Sequence, residues 1–203
     1  NHYIEVLEIL HQGFDVNRRT FGKESPLGHA INHGTYKMVR LLVEHGADVV
    51  GESYPLPFFE AIDKGDLDIV KYLVEHGADV NQINKYCHPP RTPVVSAIDK
   101  GDLNVLKYLI ENGADWKSAL KEHHRPRDPA VLRYLLSLGL DANLKGREGK
   151  TSLHYVEYIE LMDILLAAGA DPNIKDDKGW TPLDCAIKND NYQKIKWLIA
   201  HGA

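Results

Sequence analysis

The sequence predicts an all-α protein, a solenoid of short helix pairs, and three observations carry that prediction. A Gly-x-Asp ending recurs: Gly13-Phe14-Asp15-Val16-Asn17, Gly46-Ala47-Asp48-Val49, Gly77-Ala78-Asp79-Val80-Asn81, Gly113-Ala114-Asp115, Gly139-Leu140-Asp141-Ala142-Asn143, Gly169-Ala170-Asp171-Pro172-Asn173 and Gly202-Ala203. Successive glycines stand 33, 31, 36, 26, 30 and 33 residues apart. At such a period one unit cannot bury its own apolar face and must stack on its neighbours. Unit beginnings recur too, as Ser25-Pro26-Leu27, Leu56-Pro57-Phe58, Thr92-Pro93-Val94, Thr151-Ser152-Leu153 and Thr181-Pro182-Leu183. Finally, the run Ala61-Ile62-Asp63-Lys64-Gly65-Asp66-Leu67 returns unchanged at Ala97 to Leu103.

Local chemistry justifies each element. Asn1 to Gln12 reads as an outer helix without its inner partner. In the best-written unit Thr92 is an N-cap and Pro93, with preset φ and no N–H to waste, takes the first helical position. That helix stops at Gly101, and Asp102 caps a second one from Leu103 to Glu111. Leu103, Val105, Leu106, Leu109 and Ile110 repeat with helical spacing there. Gly113 then supplies a left-handed terminus. A connector with turn formers follows in most units, as in Asp176-Asp177-Lys178-Gly179. The predicted division is one array: a partial repeat 1–17, then repeats 18–50, 51–81, 82–117, 118–143, 144–173 and 174–203.

Two repeats break the pattern. From Gly13 to Ser25, Gly139 to Thr151 and Gly169 to Thr181 the step is 12 residues; from Gly46 to Leu56 it is 10 and from Gly77 to Thr92 it is 15. From Gly113 to the corresponding start at Ser118 it is only 5, so the connector after Gly113 is predicted to be missing. The second helix of that repeat is well marked by Asp128, Pro129 and Gly139, whereas the first fades through Lys121 to His124. In the next repeat Thr151 to Gly169 spans 18 residues against 21 elsewhere, which assigns a three-residue loss to the inter-helix turn near Tyr158.

These units resemble the ankyrin repeat, whose pattern is T-P-L-H-x-A, then G, then I-V-x-x-L-L-x-x-G-A-D-V-N, and the resemblance covers the whole chain. Thr181-Pro182-Leu183-Asp184-Cys185-Ala186 matches with Asp184 at the His position; Thr151-Ser152-Leu153-His154 keeps the His and has Ser for Pro. The resemblance implies an ankyrin-type helical solenoid with β-hairpin or loop connectors and no enzymatic activity of its own. It also implies a binding surface made of connector tips and the exposed side of the inner helices. Asn81, Asn143 and Asn173 occupy positions hydroxylated in some members of the family.

The bulk properties agree with a binding module. Charged residues make up 26% and hydrophobic ones 43% of 203 residues, as in foldable proteins. A net charge of −5 argues against nucleic acid or an acidic membrane as a partner. Only Cys87 and Cys185 occur, so a reducing, cytoplasmic setting is expected. A monomer is expected. Trp197, Leu198 and Ile199 are expected to lie partly open at the end of the array, which suggests a longer array or caps beyond it.

Catalytic and cofactor chemistry finds little footing. Cys87-His88 and His123-His124 lack the paired spacing of a zinc site, so no metal and no cofactor are expected. His154 fits local hydrogen bonding to Thr151, and His45, His76 and His201 fit interaction with helix-end carbonyls. No phosphate-binding glycine run is present. Cys185 falls at a small-residue position of an inner helix, where a nucleophile would need a partner base.

The remaining candidate is surface that takes a partner protein or peptide. Carried over from the family pattern, the inner-helix ends contribute Asn32 and His33, Asp63 and Lys64, Asp99 and Lys100, and Lys188. One turn earlier come His29, Glu60, Ser96, Tyr155 and Cys185; just before the helices come Glu24, Arg91, Lys150 and Trp180. Tyr54, Phe59, Tyr86, Tyr155 and Trp180 are candidate aromatic anchors, with packing between repeats as the alternative for Phe59 and Tyr155. Trp116, Arg125 and Arg147 join the candidates in the middle of the chain, which is locally basic and suits an acidic peptide. A second reading is a targeting or regulatory region of a larger enzyme, or of a bacterial or viral effector.

Overall fold

The computed structural model describes residues 2–18, 24–51, 55–122 and 126–203. Helix α1 (His2–His11) is followed by pairs of an inner and an outer helix. These are α2 (Pro26–His33) with α3 (Tyr36–Glu44), α4 (Pro57–Lys64) with α5 (Leu67–Glu75), and α6 (Pro93–Lys100) with α7 (Leu103–Glu111). Then come α8 (Trp116–Glu122) with α9 (Pro129–Ser137), α10 (Ser152–Tyr155) with α11 (Ile159–Ala167), and α12 (Pro182–Lys188) with α13 (Tyr192–Ala200). The fold is a helical repeat, as the sequence period requires.

The starts are written by caps. Ser25 Oγ accepts from the Gly28 N–H at 3.0 Å, Asp66 Oδ1 from Ile69 at 3.2 Å, and Asp128 Oδ1 from Ala130 and Val131 at 2.8 and 3.0 Å. At the stops Gly113 has φ +89, a region open to glycine at little cost. His45, His76 and His201 each donate Nδ1–H to the carbonyl four residues back, at 2.8, 2.7 and 2.7 Å, a carbonyl that also accepts from the same histidine's backbone N–H, so the side chain reinforces the last turn.

Two compact units divide the chain, Asn1–Ala97 with Asn104–Ala114 and Ile98–Leu103 with Asp115–Ala203. In the first, α2 packs on α4 and α3 on α5, closing Leu27, Ile31, Phe58, Ile62, Ile69 and Leu73 from water. In the second, α9 packs on α11, and α12 on α10 and α13. Leu132, Leu153, Met162, Leu165, Trp197 and Leu198 form one cluster there.

Between repeats the asparagine of the Gly-x-Asp-x-Asn ending acts as a staple. Asn143 Nδ2 donates to the Gly169 carbonyl at 2.9 Å and its Oδ1 accepts from Asp171 N at 2.7 Å. Asn17 does the same with Gly46 and Asp48, while Asn81 and Asn173 donate to Gly113 and Gly202. The second ending carries Val50 and the fourth Lys117 where Asn17, Asn81, Asn143 and Asn173 stand in the others, and Gln82 reaches back to donate to the Val50 carbonyl at 2.7 Å.

Connectors differ from ideal hairpins. Among the described residues no β-strand forms; a single antiparallel bridge joins Asn84 and Arg91 in the longest connector. Shorter ones close by Gly146 N–H to the Lys150 carbonyl and Asp176 N–H to the Trp180 carbonyl, and Asp177 N–H reaches the Glu148 carbonyl of the preceding connector. After Gly113 the connector is absent, as the spacing predicts. Helix α8 begins at Trp116, two residues ahead of the expected Ser118, because Asp115 Oδ1 caps the Ser118 N–H at 3.1 Å.

Two expectations change. The three residues missing from the fifth repeat come out of the inner helix, not the turn: α10 keeps four residues against seven in α12, and each is followed by a three-residue link. Ending early exposes carbonyls that a longer helix would engage. Lys194, on α13 and 3% exposed, fills one of these vacancies by donating Nζ–H to the His154 carbonyl at 3.0 Å. Its counterparts as third residue of the other outer helices are Met38, Ile69, Val105, Val131 and Leu161. The other change concerns the last helix: Trp197 and Leu198 are buried and only Ile199 of that trio is exposed. Trp197 Nε1–H donates to Asp163 Oδ1 at 2.8 Å, so its polar edge is satisfied.

Candidate functional site

The inner-helix ends behave as the repeat geometry demands. In α4 and α6 the residues Phe58 and Phe59, and Val94 and Val95, are buried, and the terminal Asp63, Lys64, Asp99 and Lys100 are exposed. This removes Phe59 from the candidate anchors, since a ring only 4% exposed offers nothing to a partner. Trp116 leaves the list for a related reason. Because α8 starts directly after Asp115, the indole sits in its first turn and packs inward, 8% exposed. Tyr54 and Arg125 lie outside the described residues.

In the first unit Glu24, Asn32 and Glu60 form a chain. Asn32 Nδ2 donates to Glu24 Oε1 and to Glu60 Oε1, both at 2.9 Å. Hydrogen bonding from Asn32 holds the Glu24 carboxyl below its ordinary range, with His29, 3.2 Å away through Nδ1, acting in the same direction. His33 packs its ring beside His29, with centroids 4.9 Å apart. Lys64 donates to the Ile31 carbonyl at 2.6 Å. At the longest connector Tyr86 is 43% exposed, while Arg91 is half-buried.

In the second unit the basic and aromatic candidates come together. Lys150 Nζ lies 5.3 Å from the Tyr155 ring centre and Lys188 Nζ lies 4.6 Å from that of Trp180, both within cation–π range. Both rings are half-buried, and Arg147 and Lys188 are exposed. Lys150 is held charged by its bond to Glu148 at 2.6 Å, which raises its pKa and lowers that of Glu148. Tyr155 Oη donates to the Arg147 carbonyl at 3.4 Å. Burial pushes the Cys185 thiol up, which disfavours the thiolate a nucleophile requires.

Sequence reasoning missed one feature here. The shortened α10 leaves an opening of about 240 Å³ in the second unit, lined by Asp99, Arg127, Tyr155, Glu157 and Tyr158 among others. The signal was the 18-residue step itself, read as a shorter turn rather than a shorter helix. Among the described residues no helix is long and apolar enough to cross a membrane.

Comparison with known proteins follows the same architecture. A sequence-family profile described as "Ankyrin repeats (3 copies)" matches residues 1–84, 55–120 and 119–203. The palmitoyltransferase AKR1 of Lachancea kluyveri is 34% identical over 74 residues, which cover 34% of this chain and only 10% of that protein. Among solved structures, the human ASB11 ankyrin repeat domain superposes with a TM-score of 0.75 at 23% identity, over 97% of this chain and 93% of the other. A chain from the complex of a predatory endopeptidase with an immunity protein, from Bdellovibrio bacteriovorus, superposes with a TM-score of 0.70 at 23% identity. It covers 87% of this chain and 98% of its own length.

Proposed function

The chain belongs to the ankyrin-repeat family, and from that premise we propose that it is a non-enzymatic module that binds another protein. Its partner offers an extended acidic segment to the inner-helix face and connector tips of the second unit. The observation that carries this reading is the pairing of Lys150 with Tyr155 and of Lys188 with Trp180. Half-buried rings with cations fixed over them are preorganised anchors, so little side-chain entropy is lost when a partner docks. The structural neighbour taken from a complex of two proteins supports a protein as the partner.

The test is a partner isolated by capture on the intact chain, followed by affinity measurement with Trp180→Ala/Lys188→Ala. The expected loss is tenfold or more, about 1.4 kcal/mol, with unchanged helical circular dichroism and weaker binding at higher salt. Equal affinity for both proteins overturns this face as the site. A second reading makes the chain the targeting or regulatory region of a larger enzyme. It draws on the palmitoyltransferase relative, of which the matched repeats are a small part. A catalytic domain on the same polypeptide would favour it.

A further inference from the structure

We propose that Glu24, His29 and His33 form a site for a borderline divalent transition ion of the zinc class. One ligand atom from each of the three lies within 4.8 Å of the other two. His29 and His33 stand four residues apart on α2, the spacing at which two imidazoles share one helix face and converge on a single ion. Glu24 immediately precedes the helix cap Ser25 and places Oε2 3.2 Å from His29 Nδ1. For metal–ligand bonds of about 2.0–2.1 Å, the ligand–ligand edge of a tetrahedron is about 3.4 Å. The Glu24–His29 edge is therefore already close to its final length, and His33 closes the remaining distance by turning an exposed ring.

The carboxylate is prepared for this role. Asn32 holds Oε1 and leaves Oε2 toward the imidazoles, the arrangement in which an outer hydrogen bond orients a ligand. Glu60, joined through the same Asn32, adds a second negative group nearby, against the Lys64 ammonium engaged at the Ile31 carbonyl. Two nitrogens and one oxygen suit zinc, cobalt, nickel or copper rather than magnesium or calcium, which prefer all-oxygen shells. A three-ligand set leaves a fourth position for water or for a donor from a partner. The plain alternative, an exposed Glu–His ion pair, predicts no affinity for ions above that of scattered surface histidines.

The sequence concealed the site because its two helical ligands and its carboxylate come from different local structures. The expectation of no metal rested on Cys87-His88 and His123-His124, and the latter pair lies outside the described residues. The experiment uses the intact chain stripped with chelator, titrated calorimetrically with Zn²⁺ and, separately, with Co²⁺ followed by visible absorption. The inference expects one equivalent of Zn²⁺ that His29→Ala/His33→Ala removes, and a tetrahedral cobalt spectrum lost with it. Glu24→Gln is expected to weaken binding at least tenfold, while Cys87→Ser/His88→Ala leaves it unchanged. Both histidines are exposed, so the variant is expected to keep the helical circular dichroism of the parent. Zinc stoichiometry and affinity that survive the double histidine change, or a parent chain that takes up no ion, would overturn the site.

Discussion

His154 shows how one side chain ties two repeats together. Its Nδ1 accepts from the Thr151 N–H at 3.1 Å and meets Thr151 Oγ1 at 3.0 Å, which leaves the proton on Nε2 to donate to the Trp180 carbonyl at 3.0 Å. In the last repeat Asp184 replaces the imidazole and closes only the local box with Thr181. His154→Ala is therefore expected to cost about 2–3 kcal/mol through unpaired buried groups. Asp184→Ala is expected to cost about 1 kcal/mol, as for a lost cap; urea midpoints compare them. Burial lowers the His154 pKa, so the unfolded chain takes up the proton more readily. Stability is then full above about pH 6.5, the unfolded value, and declines as pH falls toward the lower folded pKa. A flat profile over that window would contradict the assignment. The T-x-x-H signature made His154 legible. Lys194 was illegible, because a lysine at an otherwise apolar position explains itself only once α10 is seen to end early. Lys194→Met keeps the stem's bulk and loses the bond to the His154 carbonyl, with an expected cost of about 1–2 kcal/mol in the same assay.

At the level of elements, periodicity revealed what spacing can encode and hid what it cannot. Most helix starts and stops, the lost connector after Gly113 and the long one near Tyr86 followed from the signatures and their spacing, while the start of α8 and the end of α10 did not. Counting could not say which element absorbs a deletion, and the fifth repeat's loss fell on a helix. Nor could it orient Trp116, whose inward packing depends on α8 starting without a connector. The asparagine staple is a further device that recurs in sequence yet declares its role only in space. Asn143→Ala is expected to destabilise by about 1 kcal/mol through its two inter-repeat hydrogen bonds. Val50→Asn, at a position where the staple is lacking, is expected to move the denaturation midpoint the other way. Parallel changes of the same sign would show that the staple does not carry the stability of the repeat boundary.

For the whole molecule, stability in a repeat protein is a sum of units and nearest-neighbour contacts, so it is distributed along the chain. Cover on the apolar residues sets that distribution. In α5 and α7 the residues Ile69, Leu73, Val105, Leu106 and Leu109 are fully enclosed. In α1 the apolar Tyr3, Ile4 and Ile9 are exposed, Ile4 at 51%, so this helix is held by few contacts. Helices of about ten residues have little stability of their own in water, and without packing α1 opens at low free energy. Hydrogen exchange should therefore release the amides of α1 well before those of α5 and α7, while the Asn17 staple slows the Asp48 amide, which donates to Asn17 Oδ1. Binding of a protein along the α1 surface would erase that difference, whereas a partner on the face around Trp180 would leave it intact. Equal protection of α1 and α5 in the isolated chain would mean that cover on the apolar side chains does not set the order of opening.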